Sequence, residues 1–130
     1  MPTVSAERLR SWTQRVLEAA GVAERHSALI ADSLVAASLR GVDSHGIHLL
    51  ASYLDQIAAD DVAVSETGEI VTRSGACMVY DGRNGLGQVI AEICTGHVTR
   101  LAREFGIDRS TVYRYVTRER QKRAQRKQAQ

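Results

Sequence analysis

Three apolar stripes at helical spacing follow one another along the first half of this chain, and that succession constrains the fold more than any other feature. Ser5 is a good N-cap residue, and Leu9, Trp12, Val16 and Leu17 follow at helical spacing, with Gly21 as the stop. A second helix is predicted over 23–40, with Leu29, Ile30, Leu34 and Ala37 on one face and Gly41 past its end. A third is predicted after Asp43-Ser44, running through Ile47, Leu50, Leu54 and Ile57. Helices with one apolar stripe apiece must bury those stripes against one another or against a partner.

Beyond residue 59 the texture changes. Residues 60–68 are polar and loop-like, and two short strand-like runs, 69–73 and 76–80, flank Ser74-Gly75 as a hairpin turn. The glycine-rich run Asp81-Gly82-Arg83-Asn84-Gly85-Leu86-Gly87 leads into a helix predicted over 88–105, with Val89, Ile90, Ile93, Val98 and Leu101 toward the core. Gly106 breaks that helix, Asp108 is a candidate N-cap, and a last helix is expected from Arg109. The fold class read from this order is α+β: a helical N-terminal unit, a small β-hairpin, a long helix and a basic helical tail.

With 130 residues the chain fits one modest domain, or a small domain with an appendage, and 44% hydrophobic residues suffice for a core. No apolar run approaches the roughly 20 residues that span a bilayer, and no secretory apolar region opens the chain, so a cytoplasmic location is expected. Cys77 and Cys94 form no CxxC pair, which points to neither a disulfide framework nor a thiolate zinc site. The net charge of +2 hides an asymmetry: residues 1–102 carry eight arginines against twelve acids, whereas residues 103–130 carry nine bases against three acids. The division expected is 1–107 as the body and 108–130 as the tail, the latter either attracted to polyanions or simply solvated.

Chemistry concentrates in Leu39-Arg40-Gly41-Val42-Asp43-Ser44-His45-Gly46-Ile47. A glycine closes one helix and a polar cluster opens the next, where backbone N–H groups can receive an anion such as a carboxylate. Ser44 can donate a hydrogen bond, and His45 can exchange a proton near neutral pH. The structural alternative is that Asp43 or Ser44 caps the helix and His45 is a surface residue. His45 and His48 stand three apart, but without HExxH or a nearby Cys no metal site is read. The glycine run lacks GxGxxG order and a downstream βαβ unit, so it is read as a turn needing positive φ rather than a dinucleotide fingerprint.

Residues from about 5 to 107 resemble the opening portion of the second-type malate/L-lactate dehydrogenase family. Three stretches carry the likeness: Ala31-Asp32-Ser33-Leu34-Val35 leading into Arg40-Gly41-Val42-Asp43-Ser44-His45-Gly46-Ile47 and Tyr53; Asp81-Gly82-Arg83-Asn84-Gly85-Leu86-Gly87-Gln88; and Ala102-Arg103-Glu104-Phe105-Gly106-Ile107. The resemblance implies an NAD(P)-dependent oxidoreductase of non-Rossmann fold, acting on small 2-hydroxy or 2-oxo acids and usually homodimeric. It implies that Ser44 and His45 line the substrate and nicotinamide pocket. Where the family has a carboxylate-pairing Arg this chain has Leu49, and the adjacent His48 is a pH-dependent substitute without a bidentate fork. The family's Ser-Asn-His-Phe-Gly motif does not follow Ile107. A chain truncated relative to the family is therefore expected, binding neither NAD nor NADP on its own and showing no turnover by itself.

The tail carries a second likeness. Residues 98–116 resemble the helix-turn-helix of resolvase/invertase-type DNA-binding domains, with Ala102 at the helix crossing, Gly106 at the turn, and Ile107 and Val112 as pins. Arg109, Ser110, Thr111, Tyr113 and Arg114 would then meet phosphates or base edges, making DNA an alternative partner. The two resemblances compete for residues 98–107, and a non-catalytic interaction protein is the third reading.

Overall fold

The computed structural model describes residues 3–107. Helix α1 (Ala6–Ala19) starts where expected: Ser5 is extended and its hydroxyl accepts the Arg8 amide at 3.3 Å. Helix α2 is Glu24–Leu39, and α1 packs along it. Both helices end in the same way, with the residue after the glycine reaching back to a carbonyl of the last turn: Val22 to Leu17 at 3.1 Å and Val42 to Ala37 at 3.0 Å. Gly21 (φ +93°) and Gly41 (φ +73°) adopt the left-handed conformation this closure requires.

The core forms where the stripes meet. Leu17, Val22, Ile30, Leu34, Leu50, Leu86 and Val89 make one buried cluster. The stripe of α1 is rotated from the one expected. Trp12 is 49% exposed, and Thr13 is fully buried in its place. Leu9, Thr13 and Leu17 run i, i+4, i+8, and Thr13 is tolerated because its hydroxyl donates to the Leu9 carbonyl at 2.8 Å. An ion pair between Arg10 and Asp32 at 2.8 Å ties the outer edges of α1 and α2.

The third helix differs from expectation. Asp43–His45 is a single 3₁₀ turn, and helix α3 (Leu49–Ala58) begins only four residues after His45. Gly46 separates the two with extended backbone (ψ −163°), so the chemistry-bearing residues sit on a turn of their own. A hairpin follows, formed by β1 (Glu69–Ser74) and β2 (Cys77–Asp81) in antiparallel register. Its loop is Gly75-Ala76, one residue later than expected, because Gly75 supplies the positive φ (+55°) a two-residue loop needs. Ile70 pairs with Tyr80 and Thr72 with Val79, leaving Val71 as a bulge.

Helix α4 (Gly87–Glu104) buries Val89 and half-buries Ile90, Ile93 and Leu101, whereas Val98, expected inside, is 59% exposed. His97 occupies the inward position instead, its ring 5.3 Å from that of Tyr80 on β2. No helix among the described residues is long and apolar enough to cross a membrane.

Candidate functional site

The Asp43–Gly46 segment is held by the C-terminal end of α2. Ser38 Oγ accepts the Ile47 amide at 3.0 Å, and a β-carbon at position 46 would overlap that same oxygen. Gly46 is therefore needed for close approach to α2, not for an unusual φ, and it is buried while residues 43–45 before it are exposed. This contact presses the 3₁₀ turn onto α2 and projects Ser44 and His45 outward. Their side chains meet each other, with Ser44 Oγ 3.0 Å from His45 Nδ1.

Two details of the sequence reading change here. Four of the amides expected to receive an anion are engaged internally: His45 donates to Val42, Gly46 to Asp43, Leu49 to Gly46 and Leu50 to Ile47. Neither Asp43 nor Ser44 caps α3, because the N-cap position belongs to His48, which makes no side-chain capping bond. His48 is exposed, and no hydrogen bond joins it to the Ser44–His45 pair among those of the described residues. Leu49 is half-buried and packs against the core cluster. Among the described residues no three His, Cys, Asp or Glu side chains gather into a metal-holding group.

A second feature escaped the sequence reading. Tyr53 on α3 receives a hydrogen bond from Gln88 Nε2 on α4 at 2.9 Å. With Gln56, Val62 and residues 85–87, this pair lines a cleft of about 240 Å³. Tyr53 and Gln88 stand 35 positions apart, and only the packing of α3 beside the start of α4 joins them.

The glycine run is a turn, though its positive φ values fall on Arg83 (+46°) and Asn84 (+58°) rather than on the glycines. The glycines serve close approach: a β-carbon at Gly85 would lie 2.7 Å from the Glu66 carbonyl, and one at Gly82 3.2 Å from Ile90. Several of the loop's polar groups are also engaged. Gly85 N–H donates to the Gly82 carbonyl at 2.8 Å, Arg83 N–H to Asp81 Oδ1 at 2.9 Å, and Ala63 N–H to the Asn84 carbonyl at 2.9 Å. Arg83 is paired with Glu69, and that hydrogen bond and charge hold its guanidinium above its ordinary pKa. The loop's order, Asp-Gly-Arg-Asn-Gly-Leu-Gly, is not GxGxxG, and no βαβ unit follows it among the described residues, so it is not the dinucleotide fingerprint.

Arg109, Ser110, Thr111, Tyr113 and Arg114, singled out for DNA contact, lie outside the described residues.

Comparison with known proteins agrees with the resemblance read from the motifs. The family model for malate/L-lactate dehydrogenase matches residues 4–116, taking in all three motif stretches. Malate dehydrogenase of Pyrococcus horikoshii is 36% identical over 104 residues, which is 80% of this chain and 29% of that protein. Hydroxycarboxylate dehydrogenase B of Escherichia coli K12 is 33% identical over 102 residues, 78% of this chain and 28% of its own length. The solved structure of the Pyrococcus horikoshii enzyme aligns with a TM-score of 0.76 at 34% identity, over 79% of this chain and 30% of that one. The chain thus spans about 30% of the length of the relatives it matches. On the family match and these identities, this chain belongs to the malate/L-lactate dehydrogenase family.

Proposed function

We propose that this chain carries the substrate-side part of an oxidoreductase site for small 2-hydroxy or 2-oxo acids, with Ser44 and His45 as the residues that touch substrate. The observation that carries the reading is the exposed Ser44–His45 pair, 3.0 Å apart on a turn fixed by Gly46 against Ser38. When Ser44 Oγ donates to His45 Nδ1, the imidazole proton resides on Nε2. That N–H donates a hydrogen bond to a carbonyl oxygen; in the other tautomer Nδ1–H donates to Ser44 Oγ and the bare Nε2 accepts from a substrate hydroxyl. A nicotinamide cofactor, NAD or NADP, supplies hydride transfer in dehydrogenase chemistry, and the described residues present no GxGxxG loop for it. The chain alone is therefore assigned substrate contact without turnover.

The test is NADH and NADPH oxidation by the purified chain with a panel of 2-oxo acids. No rate above the protein-free control is expected. Robust turnover abolished by His45→Ala would contradict the assignment of a partial site.

A further inference from the structure

Neither Ser44 nor His45 lines the cleft between α3 and the start of α4, and that cleft has a chemistry of its own. Three chain segments build it. Tyr53 and Gln56 stand three apart on one face of α3, Val62 comes from the following loop, and Gly85 to Gln88 lead into α4. None of the described residues lining it carries a charge. Its volume of about 240 Å³ is left open where Gly87 has no side chain, since a β-carbon there would meet nothing within 4 Å.

The polar groups around the cleft are only partly engaged. Gln88 Nε2 donates to Tyr53 Oη at 2.9 Å, which leaves the phenolic proton as a donor and Gln88 Oε1 as an acceptor. Gln56 Nε2 donates to Ser52 Oγ at 3.3 Å, which leaves Gln56 Oε1 as a further acceptor. Donors and acceptors therefore stand side by side, without charge, next to the apolar side chains of Val62 and Leu86.

We propose that this cleft binds the primary carboxamide of a small molecule with a compact apolar body. The amide carbonyl accepts from the Tyr53 hydroxyl, and the amide protons are donated to Oε1 of Gln88 and of Gln56. A carboxylate of the same shape offers only acceptors and sets its charge against two glutamine oxygens, whereas an ammonium offers only donors and meets the phenolic proton. A sugar has both, but its additional hydroxyls would lie against Val62 and Leu86, losing water without gaining partners. The apolar body of the ligand occupies that side instead.

The probe is benzamide, with sodium benzoate as the isosteric acid, each titrated into the full chain while the backbone amide resonances of Gly85 and Gly87 are followed. Benzamide should shift both in a saturable way at roughly millimolar affinity, and benzoate should bind about tenfold more weakly. Gln88→Leu should weaken benzamide by about tenfold and leave benzoate little changed, so that the preference for amide over acid disappears. A residue that merely supports the packing would weaken both probes alike, and that result, or an unchanged preference, would overturn the proposal. Should Gln88→Leu fail to fold, Gln56→Leu at an exposed position of α3 takes its place with the same expected loss of preference. Glycine resonances that do not saturate with benzamide at tens of millimolar would also overturn it, as would benzoate binding as tightly as benzamide.

Discussion

Ser38 and Gly46 share one contact: the oxygen that accepts the Ile47 amide at 3.0 Å is the atom a β-carbon at 46 would overlap. The glycine of the Asp-Ser-His-Gly motif is thus a packing residue, and the serine and histidine before it owe their exposure to it. Gly46→Ala should cost about 1–3 kcal/mol through this overlap. Ser38→Ala should cost about 1–3 kcal/mol by leaving the Ile47 amide unsatisfied. In the double variant the costs should fall short of additive by about 1 kcal/mol, because the overlapping oxygen is gone. Urea unfolding of the four proteins checks this; strict additivity would show that the two residues do not meet.

The glycine loop yields a contrast between neighbours. Gly85→Ala brings a β-carbon to 2.7 Å from the Glu66 carbonyl, whereas a β-carbon at Gly87 meets nothing within 4 Å. The first substitution should destabilise by about 1–3 kcal/mol. The second, at the first residue of α4, should be neutral or stabilising by about 0.5–1 kcal/mol. Thermal unfolding distinguishes them, and a comparable loss at both positions would contradict the packing described.

Burial on α1 makes a third contrast. Leu17 is fully buried in the central cluster, while Trp12 is half exposed. Leu17→Ala should therefore cost about 2–5 kcal/mol, and Trp12→Ala about 1 kcal/mol or less despite the larger side chain removed. Chemical denaturation midpoints provide the comparison; the reverse order would place the stripe back on Trp12.

These contrasts also mark how far the residues alone reach. The first four helices, the Ser5 cap, the Gly21 and Gly41 closures and the hairpin were readable because each depends on nearby residues: spacing, capping chemistry and φ; the helix expected from Arg109 lies outside the described residues. Trp12 and Val98 were misplaced because a helical stripe fixes its direction only to within one residue. Which neighbour turns inward depends on the opposing helix and on local rescue of a polar group, as at Thr13. The late start of α3 was hidden because Gly46 is extended only where α2 approaches it. Ser44 and His45 were legible as a motif, whereas the Tyr53–Gln88 pair was not, since nothing local links residues on separate helices.

The central claim is that Ser44 and His45 are poised to touch a 2-oxo acid. Two or three hydrogen bonds without an arginine clamp correspond to binding in roughly the millimolar range. The direct measurement is a titration of the full chain with pyruvate and oxamate, following the histidine side-chain nitrogen resonances. The account predicts a saturable shift at His45, little change at His26 and His97, and loss of the response in Ser44→Ala with the fold intact. A His45 resonance that stays still, or one that moves no more than those of the other histidines, would contradict it.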